Sequence, residues 1–134
     1  FGAGKNNNGC DGVDCLLSNC SNIPIEAMEI DHPFFRVEDY SLRKDSGGKG
    51  RKIGGMGFQR KYKILNDNII FATYGDRFKI PPKGLFGGSE GSKAETYVDR
   101  NGKKIFLASK QSIKLKKNDV LVIKTGGGAG YGKI

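Results

Sequence analysis

The chain has 134 residues, of which 21 are glycine, and it carries a formal net charge of +9. This length suits a single domain with a genuine hydrophobic core. A run of about 18 apolar residues, the minimum for a membrane-spanning helix, is absent. The glycine share is about twice the usual value, which favours tight turns and strands over helices.

The composition therefore predicts a mainly β fold, a Gly-rich antiparallel sheet, sandwich or barrel-like domain with at most one or two short helices. We expect residues 1–134 to form a single domain or a fragment of one. Within it, residues 1–23 are rich in loops and residues 126–134 form a Gly-rich tail.

The net charge of +9 is compatible with anionic partners, nucleic acid among them. The basic residues are nevertheless spread along the chain, and the densest clusters are residues 49–52, 60–63 and 114–117. None of these clusters alternates with aromatic residues as an RNA-recognition motif does. A lysine-rich solvated surface is the favoured interpretation, and a nucleic-acid-binding module is the alternative.

Three cysteines occur near the start, at Cys10, Cys15 and Cys20. The odd number argues against a disulfide scaffold, and the spacing differs from that of zinc ligands. A metal site would need His32 or a carboxylate as a fourth ligand, so we interpret these thiols as structural or incidental.

The first half of the chain contains one ambiguous segment and one clear strand. Residues 23–30 favour either a short helix, with Pro24 in its first turn and Asn22 as its cap, or an extended segment. Residues 34–44 alternate as a strand with two mixed faces.

The middle of the chain predicts a hairpin followed by a loop. Residues 58–65 and 69–75 have strand composition and are separated by "NDN", a turn sequence. Residues 76–91 contain two adjacent prolines, which exclude a central strand.

The last third holds the clearest local signal, the Asn-Gly pair at residues 101–102 within residues 95–109. It predicts a type I′ hairpin turn. Residues 112–125 divide into two short strands. For the glycines of residues 126–132 a flexible tail is favoured over an anion-binding nest.

The segment "DSGGKGRKIGGMGFQRKY" (45–62) raises the question of a nucleotide site. It lacks the G-K-[ST] of a phosphate-binding loop, and the glycines precede a strand where a dinucleotide fingerprint requires a helix. We therefore predict a glycine loop that lets two strands turn and pack closely.

Side chains with catalytic chemistry are sparse. His32 is the only histidine, and no G-x-S-x-G motif is present. The carboxylates of Asp11, Asp14, Glu26 and Glu29 lie close together in sequence and have two interpretations: they bind a metal or a substrate, or they belong to an exposed acidic loop.

Six segments are informative when they are taken together in order: "DGVD" (11–14), "SNIPIEAMEI" (21–30), "YSLRKDSGGKGRKIGGMGFQRKY" (40–62), "DRFKIPPKGLFGG" (76–88), "LASK" (107–110) and "NDVLVIKTGGGAGYG" (118–132). Together they resemble the carboxy-terminal part of the hydantoinase B/oxoprolinase family. This chain departs from the family pattern at Ile23, at Ile53, in the cysteine-rich stretch and in lacking a proline before the last glycines.

The resemblance implies a part of an enzyme that opens a cyclic amide, such as 5-oxoproline or a hydantoin, at the expense of ATP. Acetone and acetophenone carboxylases are relatives that activate a carbonyl oxygen by phosphorylation. It further implies two partners, an ATP-binding hydantoinase A-like subunit and the amino-terminal part of the B-like subunit. ATP and a divalent metal are expected in the full complex.

We expect a cytoplasmic location, with no membrane partner and no nucleic-acid partner. The resemblance also nominates site residues. The candidates for catalysis are Glu26, Glu29, Asp11 and Asp14, with no metal ligand assigned. The candidates for binding substrate or a subunit interface are Asn22, Arg43, Asp45, Ser46, Gly47, Gly48, Asp76 and Arg77. Arg43 and Asp45 are expected to form an ion pair that sets the glycine loop, and Glu26 and Glu29 to face the substrate or the partner.

Overall fold

A computed structural model describes residues 1–13, 17–18 and 22–134. Within these ranges the chain forms one helix and seven strands. They are α1 (Ile25–Asp31), β1 (Phe35–Leu42), β2 (Phe58–Ile64), β3 (Ile69–Tyr74), β4 (Glu95–Arg100), β5 (Lys103–Phe106), β6 (Lys110–Leu115) and β7 (Val120–Lys124). The expected mainly β fold with at most one or two short helices is thus confirmed.

The strands form two antiparallel sheets. The larger one has five strands in the order β1-β2-β7-β4-β5, and the smaller one pairs β3 with β6. The larger sheet is open, because β1 and β5 are its two edges. Of the expected arrangements, the sheet forms and the closed barrel does not.

The hydrophobic core lies where the small sheet covers the large one. Its fully enclosed members are Ile64, Val98, Leu107, Leu115 and Leu121. Half-buried side chains of β3 complete the contact from the other layer, because every second residue of that strand faces inward. A two-layer packing of this kind gives each sheet one buried face.

The predicted hairpin of residues 58–65 and 69–75 is wrong in its pairing, although both strands form. Strand β2 already has β1 on one side and β7 on the other, so neither edge is left for β3. Strand β3 therefore crosses to the other layer and pairs with β6. Short sequence separation favours a hairpin, but two partners distant in sequence occupy the edges of β2.

The Asn-Gly hairpin turn between β4 and β5 is confirmed. Asn101 and Gly102 have φ values of 53° and 80°, the positive values that a type I′ turn requires at both central positions. The amide of Gly102 donates a hydrogen bond to Asp99 Oδ1 at 3.0 Å, which closes the turn.

The ambiguous segment at residues 23–30 is the helix α1. Its first hydrogen bond runs from Met28 N to the carbonyl of Pro24 at 3.0 Å, with Glu26 in the first turn. No side chain caps this helix, so the expected role of Asn22 as cap is wrong. A carboxylate oxygen of Glu29 accepts a hydrogen bond from Val37 N at 2.7 Å, which ties the helix to β1.

Four glycine-rich segments pack side by side at one end of the large sheet, and we call them the glycine core: residues 1–12, 45–57, 84–92 and 126–132. Backbone hydrogen bonds link them in series. Gly48 N donates to Gly128 O, Gly128 N donates to Gly55 O, and Gly55 N donates to Phe1 O, each at 2.8 Å. A Cβ atom on most of these glycines would overlap backbone of the neighbouring segment, so close approach is what selects glycine here.

Residues 126–132 therefore do not form a flexible tail. They run through the glycine core, and Lys52 and Tyr131 form a β-bridge across it. The prediction for residues 45–62 as a glycine loop between two close strands agrees with the structure, since this segment joins β1 to β2. What the sequence did not reveal is that three other segments share its packing.

Candidate functional site

A cavity of about 490 Å³ lies where the glycine core meets the ends of β1 and β2. Its size falls within the usual range for small-molecule sites. The described residues that line it are Phe1, Gly12, Val13, Asn22, Tyr40, Met56, Gly57, Phe58, Arg60, Thr125, Gly126 and Gly128. Strands supply one wall and glycine backbone the other.

Arg60 is the only cationic side chain among these lining residues. Its Nη2 donates to Asn22 Oδ1 at 3.0 Å and to the hydroxyl of Tyr40 at 3.1 Å. The guanidinium also lies over two aromatic rings, 4.5 Å from the ring centre of Tyr40 and 4.7 Å from that of Phe58. Contacts of this kind attract a cation to the ring face and fix its orientation.

The protonation of Arg60 follows from the same neighbours. Burial lowers the pKa of Arg60, but hydrogen bonds and proximity to Tyr40 and Tyr62 outweigh that effect, so the net shift is upward. The guanidinium therefore remains charged at every physiological pH. Sequence reasoning missed this residue, because it appeared only as part of a basic cluster at residues 60–63.

A β-bulge in β1 creates the pairing of Arg60 with Tyr40. The register of β1 against β2 shifts between Val37 and Asp39, so that Tyr40 stands opposite Arg60. Without the extra residue, Arg60 would stand opposite Asp39. Bulges commonly re-aim a side chain near a site.

Of the predicted binding residues, only Asn22 lines the cavity with a side chain that bonds Arg60. Its Oδ1 also accepts a hydrogen bond from the hydroxyl of Tyr40 at 2.6 Å. Asn22 therefore connects the start of α1 to the side chains of both β1 and β2.

Arg43 and Ser46 hold the glycine core from beneath the cavity. Arg43 Nη1 donates to the carbonyls of Lys93 at 2.6 Å and Thr125 at 3.1 Å. The hydroxyl of Ser46, 1% exposed, donates to the carbonyl of Arg43 at 2.6 Å and accepts from Gly57 N at 2.9 Å. Both side chains bond backbone, which is a positioning role.

The expected ion pair between Arg43 and Asp45 is wrong. The salt bridges among the described residues are Arg100–Asp119 and Lys124–Glu95. Asp45 is exposed and adopts a left-handed backbone with φ of 58° at the start of the glycine segment. Aspartate tolerates that conformation better than most residues.

Gly47 and Gly48 are enclosed by backbone. A Cβ atom on Gly47 would overlap the carbonyl of Gly54, and one on Gly48 would lie 2.6 Å from Gly130 N. Asp76 and Arg77 lie apart from the cavity, around a separate hollow of about 390 Å³. The structure therefore does not bring all the predicted binding residues into one place.

Two of the predicted catalytic carboxylates are engaged with backbone. Asp11 Oδ1 accepts a hydrogen bond from Met56 N at 2.7 Å, and Glu29 holds α1 to β1 as described above. Glu26 is exposed within the first turn of α1. Asp14 lies outside the described residues, as do Cys15 and Cys20, while Cys10 is an exposed free thiol.

The glycine core has few free donors for a phosphate group. The amides of Gly127, Gly128 and Gly130 donate to the carbonyls of Ser92, Gly55 and Ser89 at 2.8–3.1 Å. The alternative of an anion nest at residues 126–132 needs these same amides, so the structure contradicts it. Among the described residues, no three His, Cys, Asp or Glu side chains are grouped so as to hold a metal ion.

The open β sheets, the glycine core and the cavity at Arg60 define a mainly β fold whose cavity has the volume of a small-molecule site. The profile of hydantoinase B/oxoprolinase matches residues 1–134. The chain therefore belongs to the hydantoinase B/oxoprolinase family, as the six motifs indicated.

The curated relatives agree with this membership. An uncharacterised protein of Methanocaldococcus jannaschii is 45% identical over 111 residues, which cover 83% of this chain and 19% of the relative. The 5-oxoprolinase of Dictyostelium discoideum is 35% identical and is matched over 98% of this chain and 10% of its own length. The chain thus spans about a tenth to a fifth of these relatives.

The fold is shared with a solved structure. The nucleotide-free structure of acetone carboxylase matches with a TM-score of 0.81 and 16% sequence identity, over 98% of this chain and 22% of that one. At this identity the likeness concerns the fold alone.

No helix among the described residues is long and apolar enough to cross a membrane.

Proposed function

We propose that this chain is part of an ATP-dependent enzyme that opens a cyclic amide, in the manner of a 5-oxoprolinase or hydantoinase B-like subunit. The observation that supports this proposal is the family match over residues 1–134, together with 35% identity to a 5-oxoprolinase. In this proposal the chain works with an ATP-binding hydantoinase A-like subunit and with the amino-terminal part of the B-like subunit, in the cytoplasm.

ATP and the divalent metal are assigned to other parts of the complex. The donors of the glycine core are used by backbone carbonyls, which leaves no cradle for a triphosphate at residues 126–132. The described carboxylates do not group into a metal site either. The described residues therefore do not fit these cofactors.

A second candidate function is structural docking within the larger assembly. Several large apolar side chains are exposed, among them Ile70 at 74%, Tyr74 at 81% and Phe86 at 76%. Ile70 and Tyr74 belong to the outer face of β3, and Phe86 belongs to the glycine core. Apolar surfaces of this kind are typical of interaction sites.

The nucleic-acid alternative rests on the net charge of +9 alone. Binding dominated by phosphate contacts weakens steeply as salt rises. A salt titration of any complex with nucleic acid therefore separates this alternative from the enzyme proposal.

The proposal is tested on the assembly purified from native cells. We expect the A-like and amino-terminal B-like polypeptides to co-purify with this chain, and subcellular fractionation to place it in the cytoplasm. Turnover of 5-oxoproline and hydantoin is then measured for Glu26→Gln beside the matched control Glu38→Gln, an exposed residue of β1. Unchanged ATP-coupled turnover in Glu26→Gln removes Glu26 from the catalytic candidates, and an assembly without an ATP-binding partner contradicts the proposal.

A further inference from the structure

We propose that the cavity binds a small monocarboxylic acid and that Arg60 is the residue that pairs with its carboxylate. The inference rests on the placement and charge of Arg60. It deepens the proposed function, since 5-oxoproline is itself a small monocarboxylic acid, and its test measures binding of an anion and not its conversion.

The guanidinium is held before any ligand arrives. Asn22 and Tyr40 fix Nη2 by hydrogen bonds, while the rings of Tyr40 and Phe58 lie against its carbon atom. A side chain restrained in this way loses little conformational freedom on binding, which improves affinity. Its planar fork suits a carboxylate, which arginine commonly binds with two parallel hydrogen bonds.

Arg60 lacks a counter-ion among the described residues. The two salt bridges in that part of the chain, Arg100–Asp119 and Lys124–Glu95, do not include it. Arginines are mostly exposed and are almost never fully buried unless they are paired. The described partners of the guanidinium are neutral, so none of them compensates its positive charge.

The unused donors of Arg60 point to Nη1 as the group that meets the ligand. Nη2 is satisfied by Asn22 and Tyr40, while Nε is buried without a hydrogen-bond partner. Nη1 is not used by Asn22 or Tyr40 and is absent from the buried unpaired atoms, while the hydroxyl of Tyr62 is a further neutral neighbour of the guanidinium. Nη1 is therefore the end of the guanidinium that remains for a ligand.

The walls of the cavity select the rest of the ligand. Apart from Arg60 they offer apolar or aromatic side chains, such as Val13, Met56 and Phe58, the polar side chains of Asn22 and Thr125, and glycine backbone. One cationic side chain in a wall of mixed polarity favours a small ligand with a single negative charge. Phosphate would need several free amides, and those of Gly128 and Gly130 donate to carbonyls.

The test uses benzoate and benzamide, which have nearly the same shape and differ in charge, with inorganic phosphate as a third probe. Isothermal titration of the intact protein measures the three dissociation constants. We expect benzoate to bind at least about tenfold more tightly than benzamide, as a charged hydrogen bond predicts. Phosphate is expected to bind more weakly than benzoate.

Variants assign the effect to Arg60. Arg60→Gln is expected to weaken benzoate about tenfold or more, while the matched control Arg36→Gln, on the exposed face of β1, leaves it unchanged. Tyr40→Phe keeps the ring and removes one hydrogen bond to Nη2, so a loss of about threefold is expected. Circular dichroism confirms the fold of each variant.

Three results would overturn the inference. They are equal affinity for benzoate and benzamide, unchanged benzoate binding in a folded Arg60→Gln variant, and tighter binding of phosphate than of benzoate. If Arg60→Gln does not fold, Arg60→Lys serves instead, because it keeps the charge and loses the planar fork. Benzoate affinity that is unchanged in Arg60→Lys and in Tyr40→Phe would then also contradict the assignment.

Discussion

The packing of the glycine core makes a sharp prediction for Gly48→Ala. Gly48 is buried, and its backbone bonds the segment of residues 126–132 through Gly128 O. A Cβ atom at this position would lie 2.6 Å from Gly130 N and 2.8 Å from Glu90 O, and it would overlap the carbonyl of Ser89. No positive φ is involved, so the effect is one of space alone.

The magnitude follows from these contacts. Ordinary non-bonded contacts of carbon lie at about 3.5 Å or more. Gly130 N and Glu90 O must therefore move away from the new Cβ atom by roughly 0.7–0.9 Å. All three obstructing atoms belong to backbone, which cannot rotate away as a side chain does. Overpacking of a tight interior costs about 1–3 kcal/mol. We expect the free energy of unfolding to fall by about 3 kcal/mol, which is equivalent to a fall in Tm of roughly 10 °C.

Thermal unfolding and hydrogen–deuterium exchange measure the result. We expect faster exchange in residues 45–57, 84–92 and 126–132 of Gly48→Ala, because these segments separate together. Gly4→Ala is the matched control, since nothing lies within 4 Å of a Cβ atom there. Its stability should change by no more than about 0.5 kcal/mol. Equal stability of the two variants would refute the close-approach explanation of the glycine core.

Three other predictions concern stability. Ser46→Ala leaves Gly57 N without its acceptor, so we expect a loss of about 1–3 kcal/mol in urea unfolding. Burial raises the pKa of Asp119, but hydrogen bonds and charge interactions with Arg100 and Lys116 outweigh that effect. The pKa of Asp119 in the folded state is therefore lowered. The stability that Asp119 contributes should thus be fully present above about pH 4 and be lost as the pH falls through its lowered pKa. In Arg100→Gln the free energy of unfolding should fall less steeply over the same pH range. Asn101→Val places a branched residue at φ of 53° and should cost roughly 1–2 kcal/mol by thermal unfolding.

Each of these stability predictions has a result that would contradict it. A Ser46→Ala variant as stable as the parent would mean that water replaces the hydroxyl. An acid dependence identical in Arg100→Gln and the parent would remove the pair at Asp119 as its source. An Asn101→Val variant with unchanged stability would contradict the turn geometry of β4 and β5.

Local features of the fold were predictable from sequence. The Asn-Gly turn was found because its two residues alone determine the backbone twist that joins β4 to β5. The strands β1 and β2 follow from their composition, and the helix α1 was one of two alternatives for residues 23–30. Local signals cannot choose strand partners, which is why the sequence predicts β3 beside β2 whereas the structure pairs it with β6.

The candidate site was predictable only in part. The motif around Arg43 and Ser46 was recognised, but their bonds to Thr125 and Gly57 depend on segments far apart in sequence. The meeting of Arg60 with Tyr40 requires the bulge in β1, which no local signal indicates. The alternation of Arg60 with Phe58 and Tyr62 along β2 is the pattern that could have indicated the residue.

The central claim is membership of an ATP-coupled enzyme that opens cyclic amides, and ADP release measures it most directly. The purified assembly that contains this chain is mixed with ATP and, in turn, with 5-oxoproline, hydantoin and acetone. We expect ADP to form with one of the cyclic amides, in proportion to the ring-opened product, and not with acetone. ADP release that no cyclic amide stimulates, or that only acetone stimulates, would contradict the account.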